Sequence, residues 1–167
     1  MDEREIALLK AANVSDHVIE HSKAVSVKAV TVANQVKIPV NVELIRVGAL
    51  LHDIGRGKTH GIDHAIVGAE MVRELGLGED VAKIIERHIG AGLPKEEALT
   101  LGLPPCDYFP KTPEQKIVSY ADNMTDGSKI LDFAAALVRL KKILGDNHPA
   151  IVRFIAQHNE IMSWMET

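Results

Sequence analysis

Apolar residues recur at helical spacing along most of the chain. Val18, His21, Val25, Ala29, Val32 and Val36 share one face of a helix predicted over about 16–36. Pro39 interrupts the pattern. Asn41 then suits the N-cap of a second helix that runs to about His52 and is ended by Gly55 and Gly57. A third helix starts at Asp63, turns Ile66, Ala69, Met71 and Val72 inward, and stops at Gly76. A fourth is predicted over about 79–89, where Glu79 and Asp80 suit the positive end of the helix dipole and Gly90 and Gly92 close it.

Residues 90–111 break this rhythm. Pro94, Pro104, Pro105 and Pro110 exclude a long helix, although 95–101 fits a short one. The segment is too apolar for a flexible tether and is expected to be an ordered loop beside a site. Thr112-Pro113-Glu114-Gln115 is a strong helix start, with Thr112 as cap, Pro113 in the first turn and Gln115 completing a capping box. The helix that follows carries Ile117, Ala121 and Met124 on one stripe. Two more are predicted over about 129–144 and 148–165, separated by Gly145-Asp146-Asn147. No stretch alternates like a strand, and no repeat or low-complexity segment is present. The expectation is an all-α, compact helical bundle forming a single domain over 1–167. Ile151, Ile155, Met162 and Trp164 of the last helix complete its core or form a dimer face, core being the plainer reading; a homo-oligomer stays open.

Composition narrows the function. The chain has 167 residues, enough for one substantial core. Aromatic residues make up only 4%, so that core must be aliphatic. The net charge of −4 offers no general attraction to nucleic acid or anionic membrane, but leaves room for a local basic patch. Cys106 is alone, which excludes an internal disulfide and fits a reducing cytoplasm. Asp2, Glu3, Arg4 and Glu5 precede a short apolar run unlike a secretory leader, and no apolar stretch is long enough to span a membrane.

Three histidines fall where a solvated surface would not need them. His21 lies on the apolar stripe of its helix, His52 continues Val42, Ile45 and Ala49, and His88 continues Val81, Ile84 and Ile85. One such histidine is ordinarily a packed core residue. Three suggest a shared polar centre, and imidazoles crowded together need a divalent cation to avoid repelling one another as protonated rings. Asp53 directly follows His52 at a helix end, and Asp122 sits at the edge of an otherwise apolar inner face. Carboxylates suit a hard cation and offset its charge.

His21, then His52-Asp53, then Asp122, with the local string Leu50-Leu51-His52-Asp53-Ile54-Gly55, resembles the HD-domain metal-dependent phosphohydrolase superfamily in its His-Asp-Ile-Gly version. The resemblance spans about 15–127. It implies an all-α fold in which His21, His52, Asp53 and Asp122 ligate one metal. The segments His64-Ala65-Ile66-Val67-Gly68-Ala69 and Glu86-Arg87-His88-Ile89-Gly90 are similar to those that hold a second ion in binuclear branches. They imply that His64 and His88 are further ligands and that Asp53 bridges. His60 is an alternative to His64 or a substrate contact. His17, His148 and His158 match nothing and are expected at the surface or in packing. The ligand set suits Mn, Fe, Co, Ni or Zn.

Such a centre activates water, with His52 and Asp53 at its heart, and requires no nucleophilic side chain; Cys106 is expected to be structural. Arg56 and Lys58, with Arg87 as a third candidate, are expected to stabilise phosphate charge. Gly-Arg-Gly-Lys at 55–58 lacks P-loop spacing. The implied activity is hydrolysis of a phosphoester or phosphoanhydride in a small nucleotide-like substrate. The spacing looks most like the symmetric dinucleoside tetraphosphate hydrolases. Gly90-Ala91-Gly92-Leu93-Pro94 differs from the cyclic-di-GMP phosphodiesterase signature, and Arg56-Gly57-Lys58 lacks the acidic residues of (p)ppGpp hydrolases and deoxynucleotidases. Two alternatives stay open: a di-iron oxygenase of the same fold, and a non-catalytic nucleotide-binding signalling module.

Overall fold

The structure is a computed structural model in which residues 1–166 are described. Among these residues the chain forms α1 (Glu3–Ala11), α2 (Asp16–Gln35), α3 (Val42–Leu51), α4 (His64–Glu74), α5 (Glu79–Glu86), α6 (Lys95–Thr100) and α7 (Pro113–Asn123). An antiparallel hairpin follows, β1 (Thr125–Asp126) and β2 (Lys129–Ile130), and then α8 (Phe133–Leu144) and α9 (Pro149–Trp164). The fold is all-helical apart from these two short strands.

Helix α3 organises the rest because it is apolar nearly all round, and such a helix is stable only when surrounded. Ile45, Ala49, Leu50 and Leu51 are fully buried, and α1, α2, α5 and α7 pack around them. Burying each large side chain is worth roughly 1.5–3 kcal/mol, which outweighs the marginal stability of so short a helix. On one side lies a core of Val25, Ala29, Val32, Ile45, Ile117 and Phe154. On the other lies a second, with Leu9, Ile19, Leu51, Ile54, Val72 and Ile85. The end of α3, at His52, falls between the two.

Several boundaries differ from expectation. Helix α1 has too short a pattern to predict. It is held by Leu9, fully buried, and by Arg46 of α3, whose Nη1 donates to Asp2 at 2.6 Å and Glu5 at 2.7 Å. Helix α5 stops at Glu86, so His88 lies in the turn beyond it. Helix α8 starts at Phe133 rather than near 129, because the Asp132 carboxylate caps it by accepting from Ala135 N at 2.8 Å and the hairpin occupies the preceding residues. Thr112 caps α7, accepting from Gln115 N at 3.2 Å. Gln115 does not close the expected capping box; its Oε1 accepts from Lys111 N and from Arg87.

The proline-rich segment is ordered, as its composition implied. Leu93 and Tyr108 exchange backbone hydrogen bonds of 3.1 and 2.8 Å, clasping α6 between them. Leu93, Ala98, Leu103 and Tyr108 form a third small core on which Ile66 and Ile89 rest. Cys106, expected to be structural, is exposed in this loop. In α9, Ile151 is buried and Phe154 and Ile161 enter the first core, with Met162 and Trp164 packed at its edge. Among the described residues no helix is long and apolar enough to cross a membrane.

Candidate metal centre

Six side chains from five places in the chain meet at the end of α3. His21 comes from α2, His52 and Asp53 from the C-terminal end of α3, and His64 is the first residue of α4. His88 comes from the turn after α5, and Asp122 from the last turn of α7. Gly55 makes this convergence possible. A Cβ there would lie 2.0 Å from the His64 carbonyl oxygen, so only glycine lets the turn after Asp53 press against the start of α4.

The four imidazoles are oriented alike. Nδ1 of His21 donates to Gly127 O at 2.6 Å, that of His52 to Ala49 O at 2.6 Å, that of His64 to Gly61 O at 2.9 Å, and that of His88 to Ile85 O at 2.6 Å. A carbonyl only accepts, so each Nδ1 carries a proton, and in its neutral, ligating form each ring turns an Nε2 lone pair toward the centre. There the lone pairs meet other acceptors. His21 Nε2 is 2.9 Å from Asp122 Oδ1, and His64 Nε2 is 3.1 Å from Asp53 Oδ1. His64 and His88 face each other Nε2 to Nε2 at 3.1 Å. His52 Nε2 is buried without a hydrogen-bond partner, 3.4 Å from a carboxylate oxygen of Asp53 and of Asp122. Converging lone pairs repel unless a cation lies among them. Two ligand atoms bound about 2.1 Å from one ion at right angles are about 3 Å apart, the spacing seen here. The donor set therefore fits divalent metal. One group of potential ligands is His21, His52 and Asp53; another is Asp53, His64 and His88.

With no cation beside them, the two carboxylates draw a proton onto the cluster instead. Burial opposes charge on His52, but Asp53 and Asp122 overcome it and hold its pKa well above the ordinary imidazole value. Burial likewise opposes ionisation of Asp53, yet His52 above all, with His64 and His88 beside it, holds its carboxyl well below the usual carboxylate range. Asp122 behaves similarly, desolvation being outweighed by His52 and His21. Burial pushes His88 downward, toward the neutral, ligating form. The centre is a point of strong negative potential that draws in positive charge.

An open pocket of about 740 Å³ is lined by five of the six, His21, Asp53, His64, His88 and Asp122, with His52 buried beneath, and its size is within the range of small-molecule sites. Arg56 reaches it from beside Asp53, its Nε 3.3 Å from Oδ1. His60 lines it, exposed, while His64 takes the place beside Asp53. Lys58 is exposed and does not line it, and Arg87 is turned away to Gln115 at 3.0 Å. Sequence reasoning missed Arg139 of α8, which lines the pocket while pairing with Asp126 at 3.4 Å, and it placed His17 outside the site, whereas His17 stands at the pocket wall. Neither bears a motif. His17 is one α-turn before His21 on α2, a spacing that offered the only signal. His148 caps α9 and His158 packs on Phe133, as expected of unmatched residues.

Several known proteins resemble this chain. An uncharacterized protein of Methanocaldococcus jannaschii is 51% identical over 162 residues, 95% of each chain. The tRNA (cytidine(56)-2'-O)-methyltransferase of Picrophilus torridus is 40% identical over 158 residues, which are 95% of this chain but 45% of the enzyme. Ribonuclease Y of Thermosipho melanesiensis is 31% identical over 132 residues, 76% of this chain and 22% of that one. The HD domain of the Listeria phosphodiesterase PgpH (L. monocytogenes) shares the fold, with a TM-score of 0.56, 22% identity, and coverage of 93% of this chain and 98% of that one. The HD domain family matches residues 18–126, a span that holds all six converging side chains, and the chain belongs to that family.

Proposed function

We propose that the protein is a metal-dependent phosphohydrolase that cleaves a phosphoester or phosphoanhydride bond in a nucleotide-like substrate. The observation that carries this reading is the convergence of four Nε2 lone pairs on two carboxylates at the floor of an open pocket. His21, His52, Asp53 and Asp122 would hold one ion, and Asp53, His64 and His88 a second. Ions so held supply an activated water and neutralise charge on the phosphoryl oxygens. The backbone carbonyls that take the Nδ1 protons fix each ring's tautomer and direction, so the ligands need no reorganisation. Arg56 and Arg139, at the pocket wall, would pair with phosphate oxygens. The likeness to ribonuclease Y supports phosphoester chemistry. Methyl transfer is a property of a relative more than twice as long and is not part of the reading.

The test is a substrate screen on protein reconstituted separately with Mn, Fe, Co, Ni and Zn, with dinucleoside polyphosphates among the substrates. Asp53→Ala is the control. Phosphate or nucleotide release should require metal and vanish in the variant. An iron-loaded protein that consumes oxygen and releases no phosphate would instead establish the oxygenase alternative.

A further inference from the structure

A second hollow adjoins the metal pocket. It measures about 690 Å³ and is mainly apolar, walled by Leu93 and Leu101 beside α6, Leu144 at the end of α8, and Pro149 at the start of α9. The two hollows share Ile89, Gly90, Asn123 and Leu140, so they form one continuous trough. Their chemistry differs. Arg56 and Arg139 belong to the metal side. On the apolar side the cation Arg153 is neutralised by Glu97 through contacts of 2.8 and 3.1 Å, and Glu96 adds a carboxylate. Phosphate is favoured at one end and disfavoured at the other.

The junction is held with a defined polarity. Gly90 O can only accept, so the Ser119 hydroxyl donates to it, at 2.6 Å. Ser119 Oγ must then accept from Gln157 Nε2, at 2.9 Å. That turns Gln157 Oε1 toward Asn123, which must present Nδ2 to it, at 3.3 Å. The Asn123 amide is thereby oriented with Nδ2 engaged, on a residue that lines both hollows, and Oδ1 remains an acceptor. Among the described residues, the hydrogen bonds of this side chain use only Nδ2.

We infer that this trough is a two-part substrate site. The phosphate of a nucleoside phosphate lies over the metal centre, its base lies in the apolar hollow, and a ribose hydroxyl donates to Asn123 Oδ1 at the junction. The orientation rests on the phosphohydrolase reading; the hollow's affinity for a base does not. An uncharged planar group matches a hollow without spare cationic charge, and a hydroxyl donor matches an oriented acceptor.

The experiment measures equilibrium binding of adenosine monophosphate and ethyl phosphate to the metal-loaded protein by calorimetry, with turnover recorded separately. Adenosine monophosphate should bind about ten-fold or more tightly than ethyl phosphate. Leu101→Glu and Leu144→Glu change exposed positions (47% and 37% accessible), so the fold should tolerate them. Each should remove that preference and leave ethyl phosphate binding unchanged. Asn123→Ala, with metal content verified, should cut the preference for the ribonucleotide over its dideoxy analogue, by about five-fold. Equal affinity of wild type for both phosphates overturns the inference, as does a preference that survives both glutamate variants. A change of oligomeric state in those variants, seen by sedimentation, would assign the hollow to self-contact and also overturn it. If the preference behaves as described and no phosphate is released, the binding site stands and the hydrolase reading falls.

Discussion

Replacing Gly55 by alanine puts a methyl carbon 2.0 Å from the His64 carbonyl oxygen and 2.8 Å from Gly68 N. Comfortable contact requires about 3.5 Å, so the start of α4 must retreat by roughly 1 Å or more. Coordination tolerates only about 0.2 Å. His64 would leave the group it forms with Asp53 and His88, and an ion held there should be lost. Gly57→Ala is the matched control: its Cβ would lie 1.9 Å from Ala12 O, an equal clash with a segment that carries no ligand. Overpacking of this kind costs about 1–3 kcal/mol, a fall in Tm of roughly 2–12 °C for a chain of this size. Both variants should show it. Only Gly55→Ala should drop from about two bound ions to about one by mass spectrometry after dialysis. Equal metal content in the two variants would refute the argument that Gly55 seats His64.

Three further outcomes follow from the geometry. Arg56→Ala should lower kcat/KM by about ten-fold or more, because the side chain lines the pocket, whereas Lys58→Ala should change it by less than about two-fold; a larger effect at Lys58 would reverse the assignment. Chelation should lower Tm, since removing an ion present at about 100 times its Kd forfeits about 2.7 kcal/mol; an unchanged melt would argue against a bound ion. His158 Nδ1 shares a hydrogen bond of 2.7 Å with the Tyr120 hydroxyl, its ring stacks on Phe133 at a centroid distance of 3.7 Å, and its pKa is lowered by burial and by Lys28. A base with a depressed folded pKa stabilises above its unfolded value, about 6.5, and loses that contribution as pH falls through the folded one. The difference in Tm between wild type and His158→Gln should therefore shrink from pH 7 toward pH 5, and a constant difference would exclude this linkage.

Three of the candidate ligands were legible because each breaks a pattern, whereas His64 was reached only through the family resemblance. His21, His52 and His88 interrupt apolar stripes, and a polar ring inside such a stripe demands an explanation from chemistry. The helices were legible for the same reason, by periodicity. What escaped has no period. Two-residue strands cannot alternate, so the hairpin was invisible to pattern, although Asp126-Gly127 is a turn signal and Gly127 adopts a positive φ of 60°. Helix α1 buries only Leu9 and Glu5, too few positions for a stripe. Arg139 reaches the pocket by the path of α8, which spacing along the chain does not encode. Gly55 and Gly57 were read as helix terminators; their decisive property is the close approach they permit, which involves partners distant in sequence. Lys58 looked equivalent to Arg56 because both follow the His-Asp pair, yet the one-turn helix at Ile54–Gly57 directs only Arg56 inward.

The meeting of His21 and Asp122 also bears on how the chain is fastened. Their 2.9 Å contact closes a loop of 101 residues, and Gly127 O, bonded to the same imidazole, closes one of 106. A covalent cross-link over about 100 residues restricts the unfolded chain by about 4.7 kcal/mol in the loop-entropy account. With Cys106 alone, this chain has no internal disulfide with which to do so. An ion gripped between α2 and α7 would act as a removable clasp, tying the early part of the chain to the late part. Folding to the last turn of α7 would then have to precede its closure, and the residues that perform chemistry would also be the knot that keeps the bundle tied.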